Sequence, residues 1–327
     1  MLMTIAIAFA IGRILYLYLF SLSSFTIAIG MGEILHLYLP SLSSSAIAIV
    51  RKITMDTKEI LALYDLDERI NAAVPGMRRE VDGRIVRLVM EEEAQGMSYI
   101  SYSRFTADTT DNTDDTDGVD GADDVDEVID RQVAYFQELG RPFEWTHYSH
   151  DRPADLGARL EAAGLKGDET GSLMVLELAE APPRLLAPIT ADVRQVTDVS
   201  ELETVRALLE AVWENPFAWF IPRMSRYLAP DGYVSIYIAY IDEHPASAAW
   251  VFLPEGSRFG GLFGGTTLEP YRSRGLYTAL LAARIQEAVR RGYQFLHVDA
   301  GDMSQPIVAK QGFCLLVETT PYVWKPE

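Results

Sequence analysis

The stretch that most constrains this chain is a strand, a tight turn and a helix between residues 258 and 291. Arg258 to Leu268 is a strand-like run loosened by Gly260, Gly261, Gly264 and Gly265. Leu276 to Arg291 then carries apolar residues at Leu276, Leu280, Leu281, Ile285, Ala288 and Val289, the stripe of an amphipathic helix. Between them lies Thr266 to Thr278, T-T-L-E-P-Y-R-S-R-G-L-Y-T. A helix opened this way aims free backbone N–H groups and the positive end of its dipole at one point. A phosphate or pyrophosphate is held there without a dedicated side chain.

The rest of the composition narrows the partners. The chain has 327 residues, enough for two ordinary domains, and its 47 Asp and Glu outweigh 28 Lys and Arg to give a net charge of −19. No basic footprint for nucleic acid is present. Acidic residues crowd Asp108 to Asp130 with no base among them, and arginine far outnumbers lysine, a balance that suits a high-salt cytoplasm. The single cysteine, Cys314, excludes an intrachain disulfide framework and a Cys-rich zinc site. Its apolar setting, F-C-L-L-V, predicts a core position, and no metal site is expected.

Residues 1–54 stand apart. G-R-I-L-Y-L-Y-L-F-S-L-S-S, from Gly12, returns as G-E-I-L-H-L-Y-L-P-S-L-S-S, from Gly32, and Ile14 to Gly32 carries no charge. That interval is long enough for a membrane helix. Two readings stay open: a hydrophobic low-complexity leader outside the working protein, which leaves the protein cytoplasmic, or a membrane tether through residues 1–50. Membrane association is expected only in the second case. Met55-Asp56-Thr57-Lys58 reads as the start of the folded part, with a helix cap at Asp56 or Thr57.

Residues 55–180 read as helix (Lys58 to Ala73), strands (Arg84 to Met90, Met97 to Phe105) and a disordered acidic loop at 108–124. Helix (Val125 to Leu139), strand (Pro142 to Tyr148), helix (Ala154 to Ala163) and strand (Ser172 to Leu178) follow. In H-Y-S-H-D, His147 and His150 read as surface or capping residues rather than metal ligands, with Asp151 the helix cap. After a Pro-rich linker, residues 188–327 read as a short strand, a helix (Val199 to Val212), an aromatic loop (Asn215 to Pro222) and a hairpin (Tyr233 to Ile241, Ala246 to Leu253). The opening strand, turn and helix come next, then a strand (Gln294 to Asp299), a helix (Ser304 to Lys310) and final strands. The closing parts of the two halves echo each other, with Gly140 and Gly164 in the first matching Gly292 and Gly312 in the second.

Arg272-Ser273-Arg274-Gly275-Leu276-Tyr277 resembles the acyl-CoA pyrophosphate loop of the GNAT superfamily of N-acetyltransferases, Arg/Gln-x-x-Gly-x-Gly/Ala. Arg272 and Gly275 match, and Tyr277 stands where Gly or Ala is usual. The element order of residues 188–327 is that family's order. The resemblance implies a mixed α/β fold, a mostly antiparallel sheet flanked by helices, built as two GNAT-like acyltransferase units. The first, residues 55–180, is degenerate: aspartates fill the place of its turn and would repel a polyanionic cofactor.

The activity so implied is transfer of an acetyl group from acetyl-CoA to a primary amine of a small molecule or peptide, possible as a homodimer and with no metal. Thr267, Leu268, Arg272, Ser273, Arg274, Gly275, Leu276, Tyr277 and Thr278 would bind the cofactor, with the N–H of Thr267 or Leu268 facing the thioester carbonyl. Gly301 and Val308 occupy the positions where the family frequently has the Asn and the Tyr associated with its general acid. Ser304 and Tyr277 are the hydroxyls that would substitute, and Glu214, Glu269 and Asp299 are candidate bases. A solvated helix face is expected for Arg284, Arg290 and Arg291, and a satisfied core-edge position for His297. The alternative is a non-catalytic acyl-CoA-binding regulatory module.

Overall fold

Val234–Ile241, V-S-I-Y-I-A-Y-I, is β-branched or aromatic at most positions and buried along six of its eight residues, as a strand covered on both faces must be. Such strands dominate the chain. The computed structural model describes residues 5–10, 14–20, 26–27, 55–91, 96–105, 125–229 and 232–326. These fall into two compact units, Met1–Ile53 and Thr54–Glu327.

In the first unit β1 (Ile5–Ala10), β2 (Ile14–Phe20) and β3 (Thr26–Ile27) form an antiparallel sheet in that order. Ile14–Phe20 is therefore a strand, where the uncharged run suggested a membrane helix. Among the described residues no helix is long and apolar enough to cross a membrane. The acidic tract 108–124 lies outside the described residues.

The second unit opens with α1 (Thr57–Tyr64), which runs directly into a π-turn over Asp65–Ile70. Strands β4 (Met77–Asp82), β5 (Ile85–Met90) and β6 (Ser98–Ser103) lead to α2 (Val125–Glu138). Then come β7 (Phe143–Tyr148), α3 (Leu156–Ala162), a short β8 (Lys166–Gly167) and β9 (Gly171–Glu177). After α4 (Pro183–Leu186) the second half supplies β10 (Asp192–Gln195), α5 (Leu202–Trp213) and α6 (Phe220–Tyr227). It continues with β11 (Val234–Ile241), β12 (His244–Phe252), β13 (Phe259–Thr267), α7 (Leu276–Arg290), β14 (Phe295–Ala300), α8 (Gln305–Ala309) and β15 (Cys314–Trp324).

One sheet joins both halves, in the order β10-β11-β12-β13-β14-β9-β15-β7-β6-β5-β4. The halves exchange strands at its centre. β9 of the first half pairs with β14, Val175 opposite His297, and β15 of the second half pairs with β7, Tyr322 opposite Trp145. β9 and β15 pair with each other. Leu173, Met174, Val175 and Leu176 of β9 are all buried. By strand alternation Met174 and Leu176 pack toward α7, Leu173 and Val175 toward α1. Helices α2, α3 and α7 thus share one face, and α1, α5 and α6 cover the other.

Several expectations are corrected. β4 was not foreseen, because M-R-R-E-V-D is an edge strand whose charges hide its period. The end of the aromatic loop opens α6, with Phe220 and Met224 buried against Trp250. Cys314 is exposed at the start of β15. Arg284 is buried, not solvated, because it follows Leu276 and Leu280 at four-residue steps on the sheet-facing stripe of α7. Asp151 is not a helix cap: it is buried and grips the Arg69 guanidinium at 2.8 and 2.9 Å.

Candidate functional site

The turn before α7 leaves the N–H groups of the helix start without side-chain caps. After β13 a short 3-10 turn, Glu269–Tyr271, hands over to Ser273 at φ 61° and Gly275 at φ 80°. Gly275 is the N-cap of α7, without a side-chain cap, and the first bond of the helix runs from Ala279 N–H to Gly275 O at 3.0 Å. The N–H groups of Leu276, Tyr277 and Thr278 therefore head a 15-residue helix with no intrahelical acceptor of their own. A Cβ added to Gly275 would meet nothing within 4 Å, so the turn faces open space. Arg272 braces it, donating from Nε to Thr267 O at 3.3 Å, and the Arg274 guanidinium stands 5.5 Å from the Tyr271 ring. Both arginines are exposed.

Beside this turn the sheet parts. β13 and β14 pair in parallel only at Phe259, Gly260 and Gly261 against Phe295, Leu296 and His297. Gly264, at φ 67°, then bends β13 against the Trp250 ring, where a Cβ would overlap the indole. Leu268 N–H is taken by Ala246 O at 3.0 Å and so is not free for a ligand. Alternation turns the Thr267 N–H the other way, toward the gap that β14 has left. Tyr277 is half-buried and leans toward Gly265, and burial holds its hydroxyl above the usual tyrosine range, in its protonated, donating form.

On the opposite face of the sheet lies a cavity of about 670 Å³ bounded by both halves. Its wall includes Gly261, Phe263 and His297 where β13 and β14 part, and Glu144, Thr146 and Tyr148 on β7. His297 is buried directly over Gly261, its parallel partner. Its Nε2 lies 3.7 Å from Glu68 Oε2, and its ring meets the edge of Tyr64 with centroids 5.2 Å apart.

Glu68 reaches this place because the π-turn is fixed at both flanks. Asp67 accepts three bonds from Arg258, from its backbone N–H (2.9 Å), Nε (2.8 Å) and Nη2 (2.7 Å). Burial works against the Asp67 carboxylate, yet those bonds hold its pKa below the usual range. Arg69, buried, binds Asp151, Asp65 at 2.8 Å and Ser101 O at 3.1 Å, and lies 3.8 Å from the centre of the Tyr148 ring. Between these anchors Glu68 accepts from the Ser257 hydroxyl of the second half. A π-turn adds one residue to the helical period and so re-aims the side chains after it.

The cavity is rich in carboxylates. Asp67, Glu68, Glu144 and Glu255 face it, against a single arginine, Arg223. Burial raises the Glu144 carboxyl above its ordinary range; a Thr146 hydroxyl at 2.9 Å opposes this, and neighbouring Asp299 and Asp168 add to it. Burial likewise raises Asp299, against the pull of the Thr319 hydroxyl. Burial pushes Tyr148 up to about 12.

Among the residues expected to bind a cofactor, the structure gathers Thr267 and Leu268 with Arg272 to Thr278 at one turn. Ser304 is exposed and donates to Gly301 O at 3.0 Å, and Glu214 is exposed in the left-handed region at the end of α5; neither lines the cavity. Sequence reasoning missed Tyr64, Glu68, Glu144 and Arg223. The signal for the first two was the five-residue step between the buried Tyr64 and Arg69, which a regular helix does not place on one stripe. Among the described residues no group of three or more His, Cys, Asp or Glu is arranged to hold a metal ion.

No family model matches the chain, and no curated protein matches it by sequence. Solved structures do. A GCN5-related N-acetyltransferase from Kribbella flavida superposes with a TM-score of 0.57 at 17% identity, over 84% of this chain and 97% of that one. A functionally unknown conserved protein from Staphylococcus epidermidis gives 0.54 at 13% identity, over 85% and 100%. A GCN5-related glucosamine N-acetyltransferase region of a fungal GH3 beta-N-acetylglucosaminidase gives 0.50 at 12% identity, over 82% of this chain and 37% of that one. With its parted parallel strands, its left-handed Gly275 turn and these neighbours, the chain has the fold of the GNAT (GCN5-related) N-acetyltransferases.

Proposed function

We propose that this protein is an N-acetyltransferase that carries an acetyl group from acetyl-CoA to a primary amine. The observation that carries the reading is the Gly275 turn: an uncapped helix N-terminus, open to solvent, next to the gap between β13 and β14. The N–H groups of Arg274 to Thr278 bind the pyrophosphate there, with Arg272 and Arg274 adding charge. The Thr267 N–H, turned into the gap, stabilises the charge that develops on the thioester oxygen. We read residues 55–180 as a degenerate unit that binds no CoA and walls the acceptor site, and residues 188–327 as the unit that binds it. Acetyl-CoA use suits a cytoplasmic setting.

The amine enters from the cavity on the other face. It attacks the carbonyl carbon as a neutral nitrogen, the C–N bond forms and the C–S bond breaks. His297, backed by Glu68 at 3.7 Å, receives the proton that the nitrogen gives up. The departing thiolate takes a proton from Tyr277, which is regenerated from solvent, with Ser304 the second candidate donor. A thiol leaves readily, since its ordinary pKa is roughly 8.5. The experiment is release of free thiol from acetyl-CoA across a panel of amines. Sustained turnover with at least one amine is expected; CoA binding without thiol release for any of them overturns catalysis.

That second outcome is the mark of a non-catalytic acyl-CoA-binding module. One observation favours it: Val308 is buried in the core and Gly301 carries no side chain, so neither supplies an acid to the sulfur.

A further inference from the structure

The cavity wall contributed by the first half has a charge that the reaction does not use. We propose that the acceptor is an amine bearing a second, remote positive charge, and that Glu144 of β7 receives that charge. The inference rests on the cavity being the acceptor site and names the class of acceptor.

The reacting nitrogen has to be neutral when it meets the thioester, so a carboxylate that holds a cation is useful only away from the point of attack. Of the acidic residues in the wall, Asp67 is already neutralised by Arg258 at 2.7–2.9 Å. Glu68 is bonded to Ser257 and stands beside His297. Among the described residues Glu255 also lacks a cation, but it is exposed in the loop after β12, where water screens its charge. Glu144 differs. Its polar contact is the Thr146 hydroxyl at 2.9 Å, with no Lys, Arg or His of the described residues at salt-bridge distance. Nearby Asp299 accepts from Thr319 and adds to the negative potential on the same face. A half-buried carboxylate in an acidic neighbourhood without a cation is an incomplete ion pair, and a cationic ligand completes it.

The space between the two ends suits such a ligand. Tyr64 bridges them, its ring 5.2 Å from His297 and 6.2 Å from Tyr148, so aromatic rings line the path from the reacting end to β7. Aromatic walls favour cationic and alkyl ligands alike. On the α6 side the wall holds Arg223, which has no carboxylate partner among the described residues and donates to the Tyr227 hydroxyl at 3.2 Å. A second ammonium directed there is repelled, which leaves the β7 side. His297 on β14 and Glu144 on β7 are three strand steps apart in the sheet, about 14 Å at the usual strand spacing, which calls for a long, flexible spacer between the two charges.

Two measurements on the full chain test this. In the first, 1,10-bis(trimethylammonium)decane, which cannot be acetylated, and decyltrimethylammonium are titrated by calorimetry into wild-type and Glu144→Gln protein. The dication is expected to bind at least tenfold more tightly than the monocation, with the preference gone in Glu144→Gln. Equal affinities in the wild type, or a preference that survives in Glu144→Gln, overturn the inference. In the second, thiol release from acetyl-CoA is compared for α,ω-diamines of four to twelve carbons and for monoamines of equal length. Long diamines are expected to show at least tenfold higher kcat/KM, lost in Glu144→Gln while CoA affinity is kept. Equal turnover of mono- and diamines overturns the inference and leaves the acetyltransferase reading intact. No turnover with any amine, together with dication binding that depends on Glu144, overturns the enzyme reading and leaves the dication site.

Discussion

Gly275 offers a way to separate two contributions of one residue, conformational freedom and the absence of charge. Its φ of 80° and the open space around its Cβ position mean that a side chain there is strained but not obstructed. Gly275→Ala should cost about 1–2 kcal/mol of stability, the penalty of a left-handed L-residue. Its backbone N–H groups stay in place, so CoA affinity should fall less than about threefold. Gly275→Glu pays the same strain and adds a carboxylate about 5 Å from a pyrophosphate carrying about two charges. At an effective dielectric of about 40–80 the repulsion is about 1.7–3.3 kcal/mol, a loss of roughly 20- to 250-fold in affinity. Calorimetric titration with CoA at low and high salt measures both variants, and urea unfolding checks that their stabilities match. The gap between them should narrow in high salt, because the turn is exposed. If Gly275→Ala loses as much affinity as Gly275→Glu, the effect is conformational and the turn is not an anion site. If neither loses any, CoA binds elsewhere.

Three further outcomes are expected. Glu68→Gln should lower kcat by about 10²–10³-fold while CoA affinity is unchanged, since the proton acceptor lies on the far side of the sheet from the turn; an unchanged kcat removes Glu68 from the chemistry. A fragment of residues 188–327 expressed alone lacks β9, whose four buried apolar side chains contribute about 6–12 kcal/mol, as much as a typical domain's whole stability. It should be soluble only when residues 55–187 are supplied in trans, and a cooperative unfolding transition of the lone fragment would refute this. Stability should also fall with acid in two stages. Burial holds His147 below its ordinary pKa, and its Nε2 is buried without a partner, so its contribution is complete above about pH 6.5 and lost as pH falls below that. Asp65 and Asp67 are held below the usual carboxylate range by their bonds to His150, Arg69 and Arg258, which outweigh burial, and their contribution disappears below about pH 4. Raised Glu144 and Asp299 act with the opposite sign, gaining stability as they protonate. Urea midpoints from pH 8 to 3 test this, and His147→Gln should abolish the first stage alone.

The regular elements were legible because each carries its own period. Leu276, Leu280, Leu281 and Ile285 mark α7, and the position of Gly275 in the left-handed region follows from the one residue type that enters it freely. What the sequence hides are features set by partners distant along the chain. Arg284 looks like a surface charge until the bulged β12–β13 ladder brings the Trp250 carbonyl to 3.3 Å from its Nη1. Glu68 and Glu144 lie in segments with no motif, and only the sheet order brings them to the cavity that His297 closes. Strand exchange leaves no local trace either: β9 and β15 are ordinary strands, and their neighbours are chosen by the whole topology.

That exchange also sets the order in which the molecule can be completed. Among the described residues, β7 of the first half has its inner edge covered only by β15, a strand of the second half. During synthesis the first half must wait, with the edge of β7 bare, until β15 leaves the ribosome, and such an edge invites pairing with other chains. Loss of β15 would therefore damage the first half of the fold as much as the second. The same arrangement fixes what sequence change is tolerated in the first half: β9 has to be kept for the sheet of its neighbour.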